Sequence, residues 1–227
     1  MEDNGVIHSD YLAELTTGGQ GVWKWRGWDH LDGSAHPITS PADTRAKWTH
    51  GNTVLQLADG DLLFSMRNIS TVVRISRWTG DIEWELGPPP LSGQHAINPL
   101  PNGNLLLFDN GPFRVDQRRV SQSAAPFSRV LEVDPLTITI VCEYRDAVPH
   151  AFFSALISNA QRLPNGNTLI NEGLYSRLFE VTPEGDVVWE YVNPYFGPDT
   201  AEPRAQTNNV FRAYRYTEEE IARARSA

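Results

Sequence analysis

Cysteine is almost absent: Cys142 stands alone in 227 residues, which excludes an internal disulfide framework and any multi-cysteine metal site. It lies in the apolar run Ile138–Tyr144, where a small buried hydrophobe is expected. Long apolar runs are missing too. The longest are of strand length and none would span a bilayer. Positive charge is in deficit, with 19 Lys and Arg against 28 Asp and Glu and a formal net charge of -9. That balance argues against nucleic acid, whose phosphates demand a Lys/Arg stripe, and against anionic membrane surfaces. The opening Met1-Glu2-Asp3-Asn4-Gly5 is acidic and lacks the basic and apolar regions of a signal peptide, so the chain as written reads as soluble and cytoplasmic.

What the sequence has in quantity is turn residues and tryptophan: 17 Gly, 16 Pro and 7 Trp, beside 40% hydrophobic and 21% charged residues. This is the profile of a globular chain able to bury a sizeable core, not of a disordered one. Three segments superimpose. Asn52–Arg67 with Val72–Leu86, His95–Asn110 with Arg129–Tyr144, and Ser158–Gly173 with Arg177–Tyr191 each read as two hairpins. Asp59-Gly60, Asn102-Gly103 and Asn165-Gly166 mark the first turn of each unit, and two-residue turns are expected there. Thr79-Gly80, Asp134-Pro135 and Glu184-Gly185 mark the second. A half copy, Tyr11–Trp25, precedes the array and another, Asn209–Tyr216, closes it.

Four antiparallel strands recurring every 40–60 residues or so make an all-β fold, a β-propeller of four-stranded blades with about four repeats present. The units fall at 6–38 (a half blade), 48–87, 93–146, 156–194 and 208–216 (a closing strand), as one array. An insertion, Pro112–Pro126, is expected as a surface loop between the second and third strands of its blade. Trp23, Trp84 and Trp189 recur at one blade position and so are expected in packing between blades. The final Glu218–Ala227 reads as a short solvated helix or tail.

Two-residue turns would set Asn52 opposite Arg67, His95 opposite Asn110 and Ser158 opposite Gly173. The first strand of every blade lines the bore of a propeller, so His50, Asn52, Arg67, Asn68, His95, Asp109 and Asn110 are expected to gather at one end of it. Two imidazoles, an arginine fork and several amides around one concavity suit an anionic group, with His as nucleophile, acid or base. His150, in the loop leading to the third blade, is expected to overhang the channel, and His30 to reach its mouth or to cap the Trp-rich segment. No Ser-His-Asp spacing, phosphate loop or His-x-Glu metal pattern stands out.

Trp48-Thr-His-Gly-Asn52, Ser65-Met-Arg-Asn-Ile-Ser70, Gly93-Gln-His-Ala96, Leu106-Leu-Phe-Asp-Asn-Gly111 and Ala160–Leu169 resemble the bacterial arylsulfotransferase (arylsulfate sulfotransferase) family. The Trp25–Asp32 stretch and the Asn209–Tyr216 ending fit it as well. The resemblance implies a six-bladed propeller that moves a sulfuryl group from an aryl sulfate to a phenol through a channel histidine, with no cofactor. It also implies that family members are often exported. Carried over by motif, His50 and His95 become candidates for nucleophile or acid/base, and Arg67, Asn52 and Asn110 for ligands of the sulfuryl oxygens, with Asn68 and His150 beside them.

The chain departs from that family pattern in two places. About four repeats stand against six, which a fragment, a truncated gene product or a homo-oligomer that closes the ring would each explain. The third blade carries Leu156 and Ser158 where a histidine near the channel would sit. A non-catalytic propeller that binds a protein or small anion on its channel face is therefore a second reading. A quinone-cofactor dehydrogenase-like propeller is a third, prompted by Thr79-Gly-Asp-Ile-Glu-Trp84.

Overall fold

The computed structural model describes residues 6–40, 43–114, 126–199, 202 and 204–226. Met1–Gly5 and most of the Pro112–Pro126 insertion lie outside these residues. The architecture is all-β, an array of propeller blades. An N-terminal hairpin of β1 (Tyr11–Leu15) and β2 (Gly21–Arg26) is followed by the short α1 (Gly27–His30). The first blade is β3 (Gly51–Gln56), β4 (Leu62–Met66), β5 (Thr71–Ile75) and β6 (Ile82–Leu86), paired in sequence order. The second is β7 (His95–Pro99), β8 (Leu105–Asp109), β9 (Arg129–Asp134) and β10 (Thr139–Tyr144). The third is β11 (Asn159–Arg162), β12 (Thr168–Glu172), β13 (Arg177–Val181) and β14 (Val187–Val192). A two-residue ladder, β15 (Gly197–Pro198) with β16 (Gln206–Thr207), precedes the terminal α2 (Glu218–Ser226). All of α2 is exposed, and it starts on a capping box between Thr217 and Glu220.

The first hairpins close through three residues, not two. Gly60 N–H bonds Leu57 O at 3.0 Å and Leu57 N–H bonds Asp61 O at 2.7 Å, so Ala58, Asp59 and Gly60 form the loop. Gly60 takes the left-handed φ of 97° that such a loop needs at its third residue. Leu100–Asn104 and Leu163–Asn167 repeat the pattern. The extra residue moves the register by one. Gln56 faces Leu62 and Thr53 faces Ser65, after which a bulge at Asn52 places Gly51 against Met66. Asn52 is therefore not opposite Arg67. His95 pairs with Phe108 rather than Asn110, and β11 starts with Asn159 opposite Asn171, so Ser158 does not face Gly173 in the ladder.

Apolar residues alternate onto the faces between blades and form two inter-blade cores. One joins blades one and two through Leu63, Val72, Leu86, Ile97, Leu107 and Leu131. The other joins blades two and three through Leu106, Phe108, Phe152, Ile170 and Phe179. A third packs Trp25, Trp48, Phe64 and Met66 between the N-terminal hairpin and blade one. Trp84 and Trp23 pack against these clusters as the repeat requires. Their counterpart Trp189 is 42% exposed on the free face of blade three. Cys142 is exposed, contrary to expectation, because β10 is the outermost strand of its blade and only Tyr144 in it is shielded.

Each blade is tied at its turn end by a charged clamp. Glu132 accepts from Asn104 at 2.7 Å, from Asn102 at 3.1 Å and from Arg162 of the next blade at 2.9 Å. Glu180 repeats this with Asn167, Asn165 and Arg215. In blade one the signs are reversed: Arg74 stands at the equivalent position and bonds Asp59 and Asp61. Burial alone would raise the Glu132 pKa, but the bonds from Asn104 and Asn102 and the charge of Arg162 hold it below the usual range. Replacing Glu132 by Ala leaves Arg162 and two amides without their acceptor. The expected cost is about 1–3 kcal/mol, read as a lower urea midpoint at unchanged m-value. Ala at Trp78, 83% exposed, is the control and should move stability by less than about 0.5 kcal/mol.

Candidate active site

The first strands β3, β7 and β11 lie side by side, so their opening residues share one mouth of the bore. Each strand is entered through a left-handed residue: His50 (φ 50°), Ala96 (φ 52°) and the pair Ile157 and Ser158 (φ 52° and 83°). These residues cost conformational energy, and in β3 and β7 a bulge that displaces the ladder follows beside them. In blade two the displacement turns the His95 side chain to Asn110 even though the two residues are not ladder partners.

His95 is 4% exposed. Its Nδ1 lies 2.8 Å from Asn110 Oδ1 and 3.3 Å from Gly93 O. The Asn110 amide has one orientation only, because its Nδ2 donates to Ser154 O at 2.7 Å and Ile157 O at 3.0 Å. Oδ1 must then accept from Nδ1–H, and the neutral imidazole carries its lone pair on Nε2. No described residue hydrogen-bonds Nε2. Burial, with the nearby positive charge of Arg67, lowers the His95 pKa to about 4, although the Asn110 bond works in the opposite direction. Around neutral pH this imidazole is uncharged.

A polar network fixes the position. Gln94, fully buried, donates through Nε2 to Ser65 Oγ, Met66 O and Thr71 O. Gly93 N–H bonds Ser70 Oγ at 2.9 Å. Behind Asn110, Ser128 Oγ donates to Asn110 O at 2.8 Å and Ser154 N–H bonds Ser128 Oγ at 2.9 Å. Ser158 Oγ donates to Ser154 Oγ and accepts Gly173 N–H, both at 2.9 Å. Ser158, where a third histidine is missing, is thus a structural hydroxyl.

The other expected residues divide. His50 is partly buried beside the same mouth and lines a cavity of about 300 Å³ with His8, Asp10 and Lys47. Burial, then the Arg67 charge, lowers its pKa. Arg67 is buried and its Nη1 is held by Asp43 Oδ2 at 3.0 Å and Asn68 Oδ1 at 2.8 Å. Asn68 donates to Lys47 O. Asn52 donates to Gln94 O at 2.7 Å, and its Oδ1 is buried with no partner among the described residues. Asp109 is a clamp: it accepts Ser92 N–H and pairs with Arg129 at 2.9 Å and Arg114 at 2.8 Å. Glu172 repeats that position, accepting Phe153 N–H, and burial raises its pKa. His150 is exposed on the turn Pro149–Ala151, and His30 stacks on Trp25 at 5.0 Å as a packing residue.

Two arginines escaped the sequence reading. Arg114, beside Asp109, has buried Nε and Nη2 groups without partners among the described residues. Arg212 reaches from the closing segment to blade one, bonding Asn52 O at 2.6 Å and Thr53 Oγ1 at 2.8 Å. Only its place in the Asn209–Tyr216 half copy hinted at a bore position. Among the described residues no three His, Cys, Asp or Glu side chains come together as a metal site. No helix among them is long and apolar enough to cross a membrane.

The His95 environment has a measurable pH signature. The unfolded imidazole takes its proton near pH 6.5 and the folded one near 4, so the unfolded state binds more protons between these values. Stability should therefore fall as pH drops through that window, by on the order of 3 kcal/mol from this group. Thermal melts of the wild type and His95→Gln across the window should converge at low pH. NMR titration should show His95 Nδ1–H protonated and Nε2 bare at pH 7.

Solved structures to which the chain is similar include a protein of unknown function from Bacteroides caccae, at 18% identity and a TM-score of 0.48, covering 81% of this chain and 58% of that one. Virginiamycin B lyase from Staphylococcus aureus matches at 16% identity and a TM-score of 0.48, covering 79% of this chain and 47% of the other. Its inactive H270A form with quinupristin matches at 13% and 0.49, over 82% and 49%. The chain thus spans about half the length of these structures. No curated protein matches the sequence. The profile of the arylsulfotransferase (ASST) family matches residues 31–194, the greater part of the chain. Blades whose first strands converge on His95 are accordingly the framework of a member of the arylsulfotransferase (ASST) family, to which this chain belongs.

Proposed function

We propose that the protein transfers a sulfuryl group from an aryl sulfate to a phenol, with His95 Nε2 as nucleophile. The observation that carries this reading is the locked tautomer of His95, a neutral imidazole whose lone pair lies on the nitrogen that no described residue occupies. Family membership supports the donor and acceptor class.

In the first half-reaction Nε2 attacks sulfur, the N–S bond forms and the S–O(aryl) bond breaks, and the aryl oxygen leaves with the electron pair as phenolate. The sulfohistidine keeps its Nδ1 proton on Asn110 Oδ1, so the amide stabilises the positive ring. Asn110 is a positioning residue here, since both its N–H bonds go to backbone carbonyls. In the second half-reaction the acceptor phenol attacks sulfur, the N–S bond breaks and His95 returns neutral. His50, a base whose pKa burial and the Arg67 charge lower, takes the acceptor's proton and gives it up to solvent, where the departed phenolate is protonated.

Incubation of the pure protein with nitrophenyl sulfate and phenol should release nitrophenol in a phenol-dependent manner. His95→Ala should lower kcat/KM by about 10³-fold or more, as loss of a nucleophile does. The acid limb of the kcat/KM profile should fall near pH 4, not near the ordinary histidine value, because the attacking form is the neutral one. Release that His95→Ala leaves unchanged, or no release at all, would overturn the reading.

A further inference from the structure

We infer that Arg212 is the anchor for the anionic group of the ligand that this bore takes, an aromatic sulfate or sulfonate. The inference deepens the proposed function, and it rests on that reading only for the identity of the ligand.

The closing segment stands where the first strand of a following blade would stand. Arg215 on it bonds Glu180 as Arg162 on β11 bonds Glu132. Its backbone is held by side-chain amides of β11. Ala213 N–H bonds Asn159 Oδ1 at 2.9 Å and Arg215 N–H bonds Gln161 Oε1 at 2.7 Å. Counting back from Arg215, which stands beside Gln161, sets Arg212 level with Ser158, the counterpart of His95 in blade three. The contacts on the far side agree, for Arg212 Nη2 meets Asn52 O and Thr53 Oγ1 of β3. Asn52 in turn bonds the carbonyl of Gln94, the residue before His95. Asn52, His95 and Arg212 therefore occupy one layer of the bore, supplied by β3, β7 and the closing segment.

The charge of Arg212 is what gives this layer its ligand. Arg67, Arg114, Arg162 and Arg215 each face a carboxylate, namely Asp43, Asp109, Glu132 and Glu180. Arg212 bonds only neutral oxygens among the described residues. Two of its five N–H groups are used, and those on Nε and Nη1 have no described partner. The carboxylates on the His50 side are already engaged: Asp10 accepts from Thr49 and Gly51, and Asp43 from Arg67. A partly buried guanidinium with free donors and no carboxylate favours an oxyanion in the same space. An aromatic sulfate supplies a tetrahedral one at the height where His95 stands.

Calorimetric titration of the full chain with toluenesulfonate, which cannot transfer its sulfur group, separates this inference from the turnover reading. Methyl tolyl sulfone serves as the neutral isostere. The wild type should bind the sulfonate at least about tenfold more tightly than the sulfone. Arg212→Gln should erase that preference by weakening the sulfonate alone, and Arg212→Lys should restore part of it, which a purely structural strap would not do. Equal affinity of the wild type for the two probes overturns the inference even if Arg212→Gln fails to fold. So does a folded Arg212→Gln that binds the sulfonate within about twofold of wild type. Sulfonate binding that needs Arg212 in a protein without transfer activity would leave this inference standing and remove the transfer reading; turnover with no Arg212 dependence would do the reverse.

Discussion

Neighbouring first strands diverge around a bore and cannot pair backbone to backbone, and the whole site depends on how that gap is bridged. Side-chain amides do it. Asn52 reaches Gln94 O, Asn98 reaches Ala160 O at 3.2 Å, and Asn159 and Gln161 hold the closing segment. Each amide supplies the partner that an exposed strand edge lacks. Gln94 carries the same logic inward, joining blade two to three groups of blade one. Because these bridges are short and directional, the bore residues are held as one layer rather than as separate blades. The close approach of the closing segment explains Gly173, where a Cβ would lie 2.6 Å from Val210 O.

Burial and hydrogen bonding act on His95 in opposite senses, and burial prevails. Desolvation disfavours the imidazolium and Arg67 adds repulsion, while Asn110 and Gly93 O favour it. The outcome is a ring that is neutral but tightly oriented. A nucleophile needs both properties, and a solvated histidine would have neither so fully. The cost of keeping the polar groups around it out of water is offset by their mutual bonds, which run from Ser128 through Asn110 to Ser154 and Ser158.

The repeats conserve geometry more strictly than residue type within this chain. Glu132 and Glu180 are clamped by amides and an arginine, whereas Arg74 is clamped by aspartates at the same place. Asp109 and Glu172 repeat one another, each accepting an N–H from the segment leading into its blade and facing an arginine across the ladder. Met66 and Thr71 fill those positions in blade one. An uncharged pair there leaves Arg67 to Asp43. On blade three, Trp189 and Tyr191 stack on each other in the open, at positions where Trp84 and Leu86 face the next blade.

Strand order, blade repetition and family were legible in the sequence because their signals are local. An Asn-Gly or Asp-Gly turn, alternation over five residues and a recurring Trp each act within a few positions of the chain. The turn length was less so, since a dipeptide does not distinguish a two-residue loop from a three-residue one, and the register moved by one as a result. The predicted gathering of His95, Asn110, Asn52 and Arg67 at one mouth came from the same local patterns, but their bonding did not. Which nitrogen of His95 is bare depends on Asn110 meeting Ser154 and Ile157, more than 40 positions away. Arg212 meets Asn52 across 160 positions. The sequence by itself determined the blades; tertiary structure alone decided the tautomer of His95, the engagement of Arg67 with Asp43 and the reach of Arg212 to β3, because each is set by contacts between segments that no local pattern relates.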